Sequence, residues 1–198
     1  MSARIELRLN AASAAEIADH LSRCDAGFVP PLSGRVEINA YARKIADRAA
    51  RFEAWAEGAL VGLVAAYCND SERRLAYVTS VSVVPGWQGR GVASDLIEQC
   101  IRHARELGYA RIELDMDSAN VSAANFYVKK GFVVNRVNGQ TAIMRLEIEE
   151  TQTRVQEARL YPLPFAGGLP FVERSQHTER GIESGGDVTY RRARPHRP

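Results

Sequence analysis

The residues best equipped for chemistry sit where a β-branched run gives way to an apolar helical pattern, in the stretch "VVPGWQGRGVASD", residues 83–95. Glycines at 86, 89 and 91 let successive backbone N–H groups turn toward one point, and the helix that follows adds the partial positive charge of its N-terminus. Such a turn can seat a phosphate or pyrophosphate. A nucleotide P-loop needs GxxxxGK[ST], but Gly91 is followed by Val92 and Ala93, so the lysine and hydroxyl that serve phosphate and magnesium are absent. A dinucleotide loop needs GxGxxG; Gly89 and Gly91 begin one, yet position 94 is Ser94, and Glu113 or Asp115 complements it only weakly. The third arrangement is Gln88-x-x-Gly91-x-Ala93, a polar residue followed by small ones at fixed offsets between strand and helix. The plain alternative is a strand-to-helix turn whose glycines serve tight geometry alone.

A second segment lies downstream: Asn120-x-x-Ala123-x-x-Phe126-Tyr127-x-Lys129-x-Gly131-Phe132. Taken with Gln88-x-x-Gly91-x-Ala93, it resembles the GNAT superfamily of N-acetyltransferases, in which the first motif is the acyl-coenzyme A loop and the second lines the other side of the coenzyme arm. The resemblance is strongest over residues 75–134, and the order of strands and helices extends it to 1–148. It implies an α/β (α+β) fold with a mixed, largely antiparallel sheet of six or seven strands flanked by about four helices. It also implies acetyl-CoA as cosubstrate and direct attack by an amine on the thioester, without a metal.

The same resemblance implies roles. Backbone amides of Gln88, Gly89, Arg90, Gly91, Val92 and Ala93 are expected on the pyrophosphate, with the Arg90 side chain either clamping a phosphate or standing in solvent. Main-chain groups of Val81 and Val83 are expected on the pantetheine, as in an added strand. Asn120 is expected on the coenzyme arm, against the alternative of a helix cap. Tyr127 is the expected catalytic residue, because a neutral phenol can donate a proton to a departing thiolate. Many relatives carry a glutamate on the strand before the loop to take the amine proton; Thr79 and Ser80 stand there instead, which leaves Asp115 as the fallback base. Phe28, Arg35, Tyr41 and Thr79 are the expected acceptor contacts. The acceptor is expected to be a primary amine of a small molecule, with an amino sugar as one form of it. A lysine or N-terminal amine of a protein, and a non-catalytic CoA-binding module, are the alternatives.

The elements that must position these residues follow from hydrophobic periodicity. Ile5, Leu7 and Leu9 alternate as a half-buried strand, and Ser13 with Glu16 forms a capping box for a helix carrying Ile17, Leu21 and Cys24. Pro30 and Pro31 preclude helix in the next loop, and Ile38, Tyr41, Ile45 and Ala49 mark a second amphipathic helix. A hairpin turns at Glu57-Gly58, and residues 75–84 read as a central strand. Val92, Leu96, Ile97, Cys100, Ile101, Ala104 and Leu107 trace one face of a helix that stops at Gly108. Residues 110–116 alternate as a strand, a short helix runs over 121–130 to Gly131, and a hairpin closes around Asn138-Gly139.

Composition bounds the rest. The chain has 198 residues, 45% hydrophobic and 25% charged, enough for one domain with a sizeable core. Its three cysteines are far apart and lack any CxxC or nearby histidine pair, so they read as reduced core residues, with neither zinc nor a disulfide expected. No apolar run is long enough to span a bilayer, and the N-terminus lacks a secretory pattern, so a cytoplasmic protein is expected. The net charge of +2 is too small to suggest nucleic acid as a partner. A monomer or homodimer is expected. His20 and His103 are read as surface residues on helices. Residues 149–198, rich in Pro, Gly and Arg, read as a disordered or loosely docked tail after a domain ending at 148.

Overall fold

Local turn chemistry sets most element boundaries in the computed structural model, which describes residues 4–70, 72 and 74–148. The expected tail lies outside the described residues. Strand β1 (Glu6–Leu9) leads into helix α1 (Ala14–Cys24), capped by the reciprocal Ser13–Glu16 box. Two 3-10 turns flank a cis Val29–Pro30 bond and lead to α2 (Ile38–Arg48), where the Glu37 carboxylate accepts from the N–H groups of Asn39 and Ala40. Strands β2 (Ala50–Ala56) and β3 (Ala59–Asp70) join at Glu57 and Gly58, both at positive φ as a tight hairpin turn requires. Then follow β4 (Leu75–Val83), α3 (Val92–Glu106), β5 (Arg111–Asp117), α4 (Val121–Lys129), β6 (Val133–Asn138) and β7 (Thr141–Glu147). No helix among the described residues is long and apolar enough to cross a membrane.

The seven strands form one sheet in the order β1-β2-β3-β4-β5-β7-β6, with β4 at its centre. Every pairing is antiparallel except β4 with β5, which are parallel because α3 crosses between them. One face of the sheet buries Leu96, Ile97, Cys100 and Ala104 of α3 against Ile112, Leu114 and Met144. The other buries Ile17 and Leu21 of α1 and Ile45 of α2 against Leu63 and Ala65 of β3. Each of these large aliphatic side chains contributes about 1.5–3 kcal/mol by leaving water.

Gly62 decides how closely α3 approaches. A Cβ there would lie 2.6 Å from Val92 Cγ1, 3.1 Å from Leu96 Cδ1 and 3.3 Å from the Cβ of Ala54, so only glycine lets the first turn of α3 rest on β3. Gly62 also pairs with Val83 at the end of β4. The start of α3 and the end of β4 are thereby fixed to one point.

Three readings of the periodicity need correction. β1 is exposed along its whole length, with Leu7 and Leu9 at 41% and 50%, because it is the edge strand of the sheet and pairs on one side only among the described residues. Leu107, the C-cap of α3, is exposed at 55% although the periodicity set it on the buried face. His20, read as a surface residue, is fully buried between α1 and the sheet, where two hydrogen bonds satisfy its ring. His103 is half-buried, its ring edge-on to Phe52 at 5.5 Å.

Candidate active site

The site begins with an irregularity in β4. Its register against β3 passes from Val78 opposite Ala66 to Ser80 opposite Ala65, leaving Thr79 as an extra residue. Such a bulge bends and twists a strand, and it swaps the faces to which later side chains point. The parallel pairing of β4 with β5 accordingly covers only Leu75–Val78 against Arg111–Leu114. Beyond it β5 stays with β7 as far as Asp117, and β4 stays with β3 as far as Val83, so the two central strands part company. Tyr41 of α2 holds the bulge, donating to the Thr79 carbonyl at 2.7 Å with its oxygen 2.8 Å from Thr79 Oγ1.

A cleft of about 1100 Å³ opens where the strands diverge. Thr79, Val81 and Val83 line it from β4, on the stretch that has lost its β5 partner. An unpaired strand edge offers main-chain donors and acceptors to any extended amide-bearing chain laid along it.

At the end of β4 the chain turns through Pro85–Trp87 to Gln88, Gly89 at φ 74° and Gly91 at φ 84°. Gly91 is the N-cap of α3 and, lacking a side chain, leaves the first N–H groups of that helix without a side-chain acceptor. The space where a Cβ would stand at Gly89 or Gly91 is open. The result is a bare helix N-terminus facing a cavity, a geometry that favours an anion. Gln88, Gly89, Gly91, Val92 and Ala93 line the cleft, and the Gln88 side chain donates to the Val83 carbonyl at 3.0 Å. Arg90 lies outside the lining, its guanidinium 4.9 Å from the centre of the Trp87 ring. Lys130 reaches Ser94 and Glu98 on α3, tying the end of α4 to the helix behind the loop.

Across the cleft stands α4. Asn120 caps it, Oδ1 accepting from the Ala123 N–H at 3.0 Å, and also lines the cleft. Tyr127 lines the cleft at 8% exposure, with Phe126 and Phe132 edge-on at 5.1 and 5.7 Å. Burial pushes its phenol up to about 12, which keeps it protonated at any physiological pH. Asp115 lines the cleft from an exposed position on β5. It also acts on Tyr77 of β4, whose phenol is driven upward first by burial and then by that carboxylate.

The segment between α1 and α2 supplies Phe28 and Arg35 to the same cleft, the guanidinium 6.0 Å from the centre of the phenyl ring. Tyr41 does not line it; its hydroxyl is engaged by Thr79. Sequence reasoning passed over Tyr77, Ser82 and Asp117, which also line the cleft, as ordinary strand residues. Their alternation in "YVTSVSV" and "ELDMD" is visible in the sequence, but the face that Ser82 shows depends on the bulge before it, and the exposure of Tyr77 and Asp117 to a cleft depends on where β4 and β5 part.

Comparison with known proteins agrees with this geometry. The model described as "Acetyltransferase (GNAT) family" matches residues 15–132. An uncharacterized N-acetyltransferase of Methanocaldococcus jannaschii is 34% identical over 79 residues, which are 38% of this chain and 35% of that protein. The N-alpha-acetyltransferase MAK3 of Arabidopsis thaliana is 28% identical over 83 residues, 41% of this chain and 44% of that protein. The chain thus spans less than half the length of these curated relatives. Among solved structures, the PaiA N-acetyltransferase from Thermoplasma acidophilum, in complex with coenzyme A, superposes with a TM-score of 0.58 at 16% identity, covering 73% of this chain and 99% of that one. The yncA protein of Salmonella typhimurium, solved with its cofactor acetyl-CoA, gives 0.59 at 19% identity, covering 75% and 96%. Identities this low speak for the fold alone. The family match runs from α1 through the parted strands to Phe132, and by it the chain belongs to the acetyltransferase (GNAT) family.

Proposed function

We propose that this chain is an acetyl-CoA-dependent N-acetyltransferase whose acceptor is the primary amine of a small molecule. The observation that carries the reading is the juxtaposition of a β4 edge that has parted from β5 with the bare N-terminus of α3 in one cleft. The first suits the amide-rich pantetheine arm, the second suits the pyrophosphate, and the glycine cradle leaves room for it.

In this mechanism the amine nitrogen bonds to the thioester carbonyl carbon, the carbon–sulfur bond breaks, and the amine sheds one proton. The β4 edge near Val83 presents a main-chain N–H to the carbonyl oxygen as charge develops on it. Tyr127 gives a hydrogen bond to the sulfur as it leaves. Its raised pKa makes it a hydrogen-bond donor to a thiolate more than a strong acid. Asn120 and the amides from Gln88 to Ala93 hold the coenzyme, and Arg90 stacked on Trp87 steadies the loop from outside. Asp115 is the carboxylate nearest the role of proton acceptor, a task it shares with water because it stands exposed. Phe28 and Arg35 wall the acceptor side, in keeping with a small ligand, an amino sugar among them, whereas a protein lysine or N-terminus requires an open approach.

The test is titration of acetyl-CoA, followed by thiol release across a panel of amines that includes a short peptide with a free N-terminus. We expect turnover on a small amine and, for Tyr127→Phe, a fall in kcat of about 100-fold with acetyl-CoA affinity unchanged. Tight binding with no turnover on any amine would replace the reading by a coenzyme A sensor. Turnover on the peptide alone would move it to a protein acceptor.

A further inference from the structure

Ser80 and Ser82, two residues apart, share a face of β4, and the bulge at Thr79 turns that face away from the one carrying Val78. Their cross-strand partners, Ala65 and Leu63, belong to the core beneath α1 and α2, so both serines point away from α3 and toward the layer that contributes Phe28 and Arg35. Both line the cleft, and both are buried, at 5% and 7% exposure. Among the described residues, Ser80 Oγ has no hydrogen-bond partner. A buried hydroxyl left in that state is uncommon and marks a position that a ligand can satisfy.

Ser82 is different, because His20 fixes what it can do. His20 Nδ1 lies 3.1 Å from the Leu60 carbonyl, which has no proton to give, so Nδ1 carries the hydrogen and donates. Burial lowers the imidazole to about 4, so the ring is neutral and Nε2 presents only a lone pair. Ser82 Oγ, 2.9 Å from Nε2, must spend its single proton there. The Cys24 thiol stands farther from the same nitrogen, at 3.6 Å, and competes poorly. What Ser82 retains for the cleft is lone pairs. It can therefore receive an N–H or O–H but cannot donate to the thioester carbonyl. An amine that gives one N–H to Ser82 keeps its own lone pair free for attack.

We propose that Ser82, oriented by His20, is the residue that receives the acceptor amine, with the unpaired hydroxyl of Ser80 as the second hydrogen-bonding position of the same subsite. The assignment rests on the acetyl-transfer reading and adds to it the groups that hold the nitrogen. The carboxylates of Asp115 and Asp117 line the same cleft from β5, so a primary aliphatic amine arriving as an ammonium meets negative charge before it loses its proton.

The experiment is steady-state acetyl transfer at saturating acetyl-CoA with 1,4-diaminobutane, glucosamine, phenethylamine and a tripeptide as probes. It compares wild type with Ser82→Ala, Ser80→Ala, His20→Leu and His20→Gln. Losing a hydrogen bond to the amine should lower kcat/KM for the acceptor about 10- to 100-fold in Ser82→Ala, with acetyl-CoA affinity unchanged within about twofold. His20→Leu should lose a similar factor. His20→Gln, whose amide oxygen can still accept from Ser82, should recover most of it, which a merely structural histidine would not predict. If Ser82→Ala acetylates every wild-type substrate within about twofold of the wild-type rate, the assignment is overturned, whether or not the His20 variants fold. If wild type binds acetyl-CoA but acetylates no probe, it is the acetyl-transfer reading that fails, and this subsite falls with it.

Discussion

Acidification should destabilise this protein through one buried ring. His20 is held neutral between the Leu60 carbonyl and Ser82, and burial lowers it from the ordinary 6.5 to about 4. The hydrogen bond to the Leu60 carbonyl opposes burial in part, the positive Arg23 adds to the lowering, and Asp19 opposes it more weakly. Between those two values the unfolded chain binds a proton that the folded chain refuses, so stability rises with pH across the window. The contribution is fully present above about 6.5 and is lost as pH falls toward 4. With a shift of about 2.5 units at 1.36 kcal/mol per unit, the loss is about 2 kcal/mol at pH 5 and about 3 kcal/mol at pH 4. The assay is urea denaturation of wild type and His20→Gln, each from pH 7.5 to 5. Carboxylates lowered by their partners, such as Glu16, Asp25 and Glu37, also lose stability on acidification. They are common to both proteins, so the difference between the two curves isolates His20. We expect the wild type's advantage to shrink by about 2 kcal/mol over the range. A difference that stays flat within about 0.5 kcal/mol would refute both the burial argument and the neutral tautomer on which the role of Ser82 depends.

Two further outcomes test the frame around the cleft. Gly91→Glu should abolish measurable acetyl-CoA binding, a loss of at least about 100-fold, because it forces a side chain into φ 84° and sets a negative charge at the bare N-terminus of α3; unchanged affinity in a folded variant, read by calorimetry, would remove the pyrophosphate from that loop. Gly62→Ala should cost about 1–3 kcal/mol in thermal or chemical unfolding, since its Cβ would meet Val92 Cγ1 at 2.6 Å and push α3 off β3. The same variant should weaken acetyl-CoA binding, because Val92 follows the N-cap of α3.

Much of the fold was legible because it is written in short-range chemistry. Ser13 with Glu16, Glu57 with Gly58, Asn138 with Gly139, and the positive-φ glycines at 91, 108 and 131 each set a boundary from within a few residues. The loop from Gln88 to Ala93 and the segment from Asn120 to Phe132 were legible for the same reason, since each is contiguous and its spacing survives without a partner. The family followed from those two stretches. The interior of the site did not. Thr79 becomes an extra residue only in register with β3, and the hydroxyl that satisfies it comes from Tyr41, 38 positions away. His20 reads from its helix as a surface residue and becomes a buried orienting group through Ser82, 62 positions away. The exposure of β1 depends on its place at the edge of the sheet, which no alternation of Ile5, Leu7 and Leu9 reveals. Backbone conformation and motif spacing are local, and the sequence determined them alone. Which face a strand residue shows, and which hydroxyl keeps its proton, depend on contacts between distant segments, and only the packed structure decided those.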